Sequence, residues 1–400
     1  LKPLLGLDEA QARLLALATP LPEVSLPIEQ AAGRWLARDL LALRTQPPQP
    51  MSAMDGWAVR QADMPGPWAI IGESAAGHPF PGTVGAGEAV RIATGGVVPA
   101  GTDMVAVQED CRRDGDTLHF EGEPPRPLDR HIRPRGLDFS EGAMVARAGE
   151  RLTPARLALA ITAGHGSAPV RETAHVTVIE GGDELRAPGE ALQPGAIPAS
   201  NGAMLAALFG DLGCKVTRRG PVPDRREALR AAFEEATASQ LIVTSGGASV
   251  GDHDLVLPVL EEMGAEIDFW RVAIKPGKPL LVAKLGNATV IGLPGNPVSS
   301  FVTAHLFAMP FARALMGDAA PLPALQPAFL MADLPATGRR SEFLRAEFTS
   351  EGVMPIRLQD SGALSPLAAA DALVFRLANS PAAKAGDVVR VLPLAPRNRS

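Results

Sequence analysis

From His175 onward the chain alternates β-rich runs with amphipathic stretches, and this alternation constrains the fold more than any other feature. Runs over 175–179, 215–217, 241–244 and 288–292 are rich in β-branched residues and read as strands. The stretches over 201–212, 225–238 and 297–316 read as helices; Leu205, Leu208, Phe209 and Leu212 fall on one face of the first. Asp224 is placed to cap the second. Strands and helices in this order predict a largely parallel, doubly wound sheet with right-handed crossovers. In such a sheet ligands bind beyond the carboxyl ends of the strands, where helix N-termini present free N–H groups.

The flanks differ in texture. Asp8 is expected to cap a short helix that Pro20 and Pro22 end, and Thr153-Pro154 starts another over 155–163, with Gly164 as its stop. Between about 43 and 142, short runs such as 56–59, 68–71, 89–92 and 104–107 are separated by Gly/Pro-rich turns, as in a small barrel or sandwich. After Pro321, period-two runs over 343–348, 374–377 and 388–391 predict a terminal β domain. A chain of 400 residues exceeds one ordinary core, so several domains are expected.

A net charge of -6 argues against a general nucleic-acid binder. Two cysteines, Cys111 and Cys214, without a CxxC pair, suit a reducing compartment and exclude a cysteine-rich zinc site. The most apolar stretch, 301–316, is interrupted by His305, Pro310 and Arg313, so no membrane span is expected. A soluble cytoplasmic enzyme is the default.

Three turns at the expected ligand edge are dense in Gly and acids: 181–185, 245–254 and 293–297. Gly246 and Gly247 allow close backbone approach to a phosphate, and Ser245 and Ser249 add hydroxyl donors. Asp183, Glu184, Asp252 and Asp254 are hard oxygen ligands suited to Mg²⁺. Any one such turn also reads as a plain strand-to-helix connection with acids at a helix N-terminus. No GxGxxG follows a strand and no GxxxxGK occurs, which disfavours dehydrogenase and P-loop readings. The stiff turn Lys275-Pro276-Gly277-Lys278-Pro279 holds two ammonium groups together, as an anion site requires, though an exposed basic turn has the same spacing. In Met51-Ser52-Ala53-Met54-Asp55-Gly56 a single acid sits in an apolar loop; a β-turn at Asp55-Gly56 is the simpler alternative. Arg130, Arg133 and Arg135 read as a solvated face, and the seven His show no metal spacing.

Together these segments resemble the MoeA family of molybdopterin molybdenumtransferases and the homologous C-terminal domain of gephyrin. The resemblance rests on Ser52-Ala53-Met54-Asp55-Gly56, Thr94-Gly95-Gly96, Arg133 with Gly136 and Asp138, Gly182-Asp183-Glu184-Leu185, Ser200-Asn201, Ser245-Gly246-Gly247 through Asp254, the 275–279 turn and Leu293-Pro294-Gly295-Asn296-Pro297. It implies a multidomain α/β plus β fold. A discontinuous linking domain covers 18–41 and 143–168, and a β domain over 42–142 is inserted in it. The molybdopterin-binding-type α/β domain takes 1–17 and 169–325, and a small C-terminal β-barrel takes 326–400. It further implies a homodimer whose active site lies between the α/β domain of one subunit and the inserted β domain of the other.

By the same resemblance, Asp55, Thr94, Asp138, Glu184 and Lys275 take catalytic roles. Asp224, Ser245, Gly246, Gly247, Ser249, Asp254, Arg271, Lys278, Pro294, Gly295, Asn296, Pro297 and Ser361 bind substrate. Mg²⁺ is assigned to Glu184, Asp224 and Asp254. The implied reaction inserts molybdate into adenylylated molybdopterin with release of AMP, the substrate coming from a molybdopterin adenylyltransferase. The alternatives are an adenylyltransferase-type enzyme and a gephyrin-like scaffold that binds peptides. The chain departs from the family pattern before Gly182: Glu180-Gly181 stands where Ser-Thr is usual, so a hydroxyl is lost and an acid gained. Before the lysine turn, Arg271 stands where Lys is frequent.

Overall fold

The computed structural model describes residues 4–246 and 255–394. Helix α1 (Leu7–Ala16) opens the chain; Gly6 occupies its N-cap and Asp8 lies in its first turn, not at the cap. Its buried Ala10 and Leu14 join the core of the later α/β unit. Glu23–Pro27 pairs antiparallel with Ser167–Arg171, and Leu40–Leu41 with Met144–Ala146, so the chain leaves and re-enters this module side by side. Between these excursions a six-stranded sheet has the order Met104–Val107, Gly56–Val59, Glu88–Ile92, Trp68–Ser74, Thr117–Phe120, Cys111–Asp114. Trp57, Val59, Trp68, Met104 and Leu118 form its core. Helix α2 (Pro154–Thr162) begins as expected, with the Thr153 hydroxyl accepting the Arg156 N–H and Pro154 in the first turn.

The strands that follow are β1 (His175–Gly181), β2 (Lys215–Val222), β3 (Leu241–Ser245), β4 (Glu266–Trp270), β5 (Ile274–Lys275), β6 (Leu281–Leu285) and β7 (Ala288–Leu293). The main sheet runs β2-β1-β3-β7-β6-β4. Its first four strands are parallel, and β6 is antiparallel to both neighbours. The two-residue Gly286-Asn287 link permits only an antiparallel hairpin, since a parallel return needs a crossover. The lysine turn begins in the short β5, which is separate from β4.

Every residue of β3 and β7 is buried because helices cover both faces. Leu205 and Phe209 of α3 (Asn201–Asp211) pack on one face, with Val176, Val178 and Val243. Leu229 and Phe233 of α4 (Arg226–Ala236), with Val259 and Leu260 of α5 (Val256–Glu262), pack on the other, against Ile179 and Ile242. Arg225, not Asp224, occupies the α4 N-cap, which leaves the Asp224 carboxylate available to the neighbouring turn.

Helix α6 (Pro297–Leu315) continues through His305 and Pro310, as the helical reading of 297–316 expected. A π-helical segment, Ala304–Ala308, precedes Pro310; a widened turn accommodates a residue that cannot donate to the preceding one. Over 19 residues with a mean hydropathy of 1.2, α6 is long and apolar enough to cross a membrane, but it is 72% buried within this protein. Its composition is that of a core helix.

The last unit is antiparallel: β8 (Ser341–Phe348) pairs with Ala372–Arg376, which pairs with Val388–Pro393, which pairs with Gln326–Phe329. Val353–Pro355 lies on the other side of β8, and a bridge from Leu330 to Val353 closes the ring. The short β5 adds to β8 in parallel, placing Lys275 opposite Glu342. The lysine turn thus belongs to the α/β sheet by sequence and to the C-terminal sheet by pairing.

Candidate active site

A cavity of about 710 Å³ opens at the carboxyl ends of β1, β3 and β7. Gly181, Gly182 and Glu184 line it from the first predicted turn, Ser245 and Gly246 from the second, and Pro294 through Pro297 from the third. The Asn201 amide binds the turns together: its Nδ2 donates to Ser245 Oγ (3.0 Å) and to the Gly295 carbonyl (2.7 Å). Pro279 reaches the same cavity because β6, which it precedes, runs antiparallel and so begins at this edge. Gly247, Ser249, Asp252 and Asp254 lie outside the described residues.

Two acids clasp across the rim. The Asp224 N–H donates to Asp183 Oδ1 (3.0 Å), and the Asp183 N–H to Asp224 Oδ2 (3.3 Å). Burial raises the Asp224 pKa, the Asp183 N–H opposes this, and the charges of Asp183 and Glu184 raise it further. Crowded carboxylates of this kind favour a nearby cation. Among the described residues no three His, Cys, Asp or Glu side chains converge in a metal-binding group. Glu184 and Asp224 do share the cavity wall.

A second cavity, about 350 Å³, lies between the lysine turn, the start of α6 and β8, and Pro279 is common to both. Lys275, Lys278, Arg340 and Ser361 line it. Lys275 Nζ donates to Glu342 Oε1 at 3.2 Å, so the anion-site expectation acquires a second component: this lysine has a structural partner. Ser361 forms part of the wall between the cavities, its Oγ accepting from Asn296 Nδ2 (3.1 Å) and its carbonyl from the Val298 N–H (3.1 Å).

Arg345, only 1% exposed, donates to the carbonyls of Ala363 and Asp360 (2.9 Å each) and shapes the loop that carries Ser361. Neither Arg340 nor Arg345 was selected from the sequence. A signal was present for Arg345: it falls in phase with buried Phe343 in a period-two run, where a charge is out of place. Arg271 lines neither cavity; its carbonyl accepts the Leu5 N–H at 3.2 Å.

Asp55 and Thr94 meet in the inserted sheet. Asp55 Oδ1 accepts from the Thr94 N–H (2.6 Å) and Oγ1 (2.9 Å), and these two bonds hold its exposed carboxyl below the usual range. The apolar approach to Asp55 has a local reason. Ser52 is fully buried and exchanges backbone hydrogen bonds with Gly95 and Gly96, locking the two motifs together. Gly56 is required by closeness, not by a turn: a Cβ there would sit 2.1 Å from the Ala106 carbonyl oxygen. Asp138 is exposed in a separate turn, its N–H donating to the Gln46 carbonyl. Asp55, Thr94 and Asp138 line neither of the two cavities of their own chain.

A barrel-capped α/β unit with an inserted β sheet, and a glycine-walled cavity beside a lysine-lined one, is the multidomain α/β plus β architecture that the motifs led one to expect. Comparison with known proteins agrees along the chain. Residues 5–164 match the MoeA N-terminal region (domain I and II), 177–314 a probable molybdopterin binding domain, and 327–394 the MoeA C-terminal region (domain IV). A molybdopterin molybdenumtransferase of Haemophilus influenzae is 38% identical over 319 residues, covering 79% of this chain and 78% of that protein. One from Staphylococcus aureus is 30% identical over 399 residues, covering 96% and 94%. The crystal structure of a molybdopterin biosynthesis MoeA protein from Pyrococcus horikoshii superposes with a TM-score of 0.84 at 26% identity, covering 98% of this chain and 100% of that one. The chain belongs to the MoeA family of molybdopterin molybdenumtransferases, enzymes of molybdenum cofactor biosynthesis.

Proposed function

We propose that this protein inserts molybdate into adenylylated molybdopterin and releases AMP, acting as a cytoplasmic homodimer supplied by a molybdopterin adenylyltransferase. The observation that carries this reading is the pair of adjoining cavities, one walled by glycine turns and carboxylates, the other by Lys275, Lys278 and Arg340. A phosphate linkage fits the first, where Gly246 and Gly295 bring backbone close and no side chain intervenes. The tetrahedral oxyanion fits the second, where preorganised cations face it without reorganisation. Glu184 and Asp224, with Asp254, would hold a Mg²⁺, which when bound neutralises phosphate oxygens. Asp55 is kept ionised by Thr94, which weakens it as a base but leaves a fixed negative acceptor suited to orient water or molybdate. Asp55 lines neither cavity of its own chain, which supports the reading that it serves the site of a partner subunit.

Purified protein given adenylylated molybdopterin and molybdate is expected to release AMP, faster with Mg²⁺. ATP with molybdopterin alone is expected to give no adenylylation. Consumption of ATP would establish the adenylyltransferase reading instead, and tight peptide binding without either activity the scaffold reading.

Lys275→Gln is expected to weaken molybdate binding about tenfold, read by calorimetry, by removing one cation from the cavity. The ion pair with Glu342 is lost as well, but its lysine end is exposed, so the stability cost is ~1 kcal/mol or less. A large fall in melting temperature with molybdate affinity unchanged would show that the lysine serves Glu342 and not the oxyanion.

A further inference from the structure

The acid at the departure from the family pattern has a definite place. Glu180 is 4% exposed, stands opposite Ser245 in the β1–β3 register, and lines the larger cavity. Helix α3 begins beside it with no cap of its own: the Ser200 side chain makes no capping bond and the first turn holds no acid. Burial raises the Glu180 pKa, and the N–H groups of Gly202 and Asn201, with the charge of Arg218, oppose the rise and favour the carboxylate. The fit is close, since a Cβ on Gly202 would lie 2.4 Å from Glu180 Oε2. Asn201, itself 8% exposed, spends its Nδ2 on Ser245 and Gly295, and its buried Oδ1 has no hydrogen-bond partner among the described residues. The donors of this corner are thus engaged within the protein.

A helix N-terminus at the carboxyl edge of such a sheet ordinarily attracts phosphate. We propose that Glu180 is an internal anion that closes the α3 N-terminus to phosphate, and thereby determines which end of the substrate enters that corner. The carboxyl occupies the N–H groups a phosphate would use and repels a second negative group beside them. The phosphate-bearing end is directed toward the other turns and the lysine cavity, and the uncharged end of the substrate takes the α3 side. This rests on the reading of the substrate as a phosphorylated molybdopterin, but the exclusion of phosphate can be measured without it.

The test is phosphate binding by isothermal titration calorimetry on the full-length protein, with Glu180→Ser and Glu180→Gln. Glu180→Ser is expected to gain one inorganic phosphate site per chain. In a Lys278→Gln background, which weakens the lysine cavity, its affinity is expected to be at least tenfold tighter than that of the same background with Glu180. Glu180→Gln keeps an acceptor for the N–H groups but loses the charge, so a smaller gain is expected. With adenylylated molybdopterin, Glu180→Ser is expected to bind part of the substrate in reverse, so kcat and KM fall together. A folded Glu180→Ser that binds phosphate no better than the parent overturns the proposal; if that variant does not fold, an unchanged Glu180→Gln does so. A fall in kcat with KM unchanged or raised overturns the orienting role. Because phosphate binding needs no substrate, a gain in Glu180→Ser stands even if the parent protein releases no AMP.

Discussion

Asp55→Ala is expected to lower the rate of molybdate insertion by about 10²–10³-fold, the range for loss of one preorganised polar group at a reacting centre. The fold is expected to remain, because Asp55 is exposed and the lock between the two motifs runs through backbone bonds of Ser52 with Gly95 and Gly96, which the substitution leaves in place. Single-turnover AMP release and circular dichroism on the same preparation check both halves. Two variants calibrate the result. Thr94→Val keeps the 2.6 Å N–H bond to Asp55 and loses only the hydroxyl bond, so a smaller loss is expected. Asp183→Asn keeps an oxygen able to accept the Asp224 N–H, and is also expected to cost less than Asp55→Ala. Near-normal turnover in folded Asp55→Ala would reduce Asp55 to an anchor for Thr94.

Mixing two inactive variants provides the second large effect. Asp55→Ala disables the inserted-sheet contribution and Glu184→Gln the α/β contribution; each homodimer is expected to be nearly inactive. If the site is shared, each mixed dimer holds one site free of both substitutions, and random exchange restores about a quarter of the parent rate. If all the groups act within one chain, mixing restores nothing. Sedimentation on the same samples determines whether the mixture is dimeric, so a failure to restore activity can be attributed to site architecture.

The turns at 181–185 and 293–297 and the start of the 245–254 turn were legible in sequence because each combines a buried strand with glycine at its end, a local pattern that needs no tertiary information. They do converge on one cavity. The lysine turn was legible as a charge cluster, but its division between two sheets was not. β5 is two residues long, and its pairing with β8 joins positions 67 residues apart, as with Lys275 and Glu342. Arg345 was hidden for a related reason: its role depends on carbonyls of 360 and 363, brought to it by the closing barrel. The reading of Asp8 and Asp224 as caps failed because capping preference names a residue type, while the backbone at the helix entrance decides which neighbour occupies the cap. The helix over 297–316 was legible, but the π segment before Pro310 was not, because Ala304, Leu306, Phe307 and Ala308 settle it by packing in the core.

What the amino-acid order determined by itself was the family, the alternation of strands and helices, and the residue types available for chemistry. All of these are written in short-range pattern and composition. Tertiary structure alone decided which of those residues share a cavity. Glu180 shows the difference: in sequence it is one acid in place of a hydroxyl, and in the fold it lies against the first turn of a helix that starts twenty-one residues later. Burial and the direction of a helix axis are properties of the packed chain, and they set the charge a ligand meets.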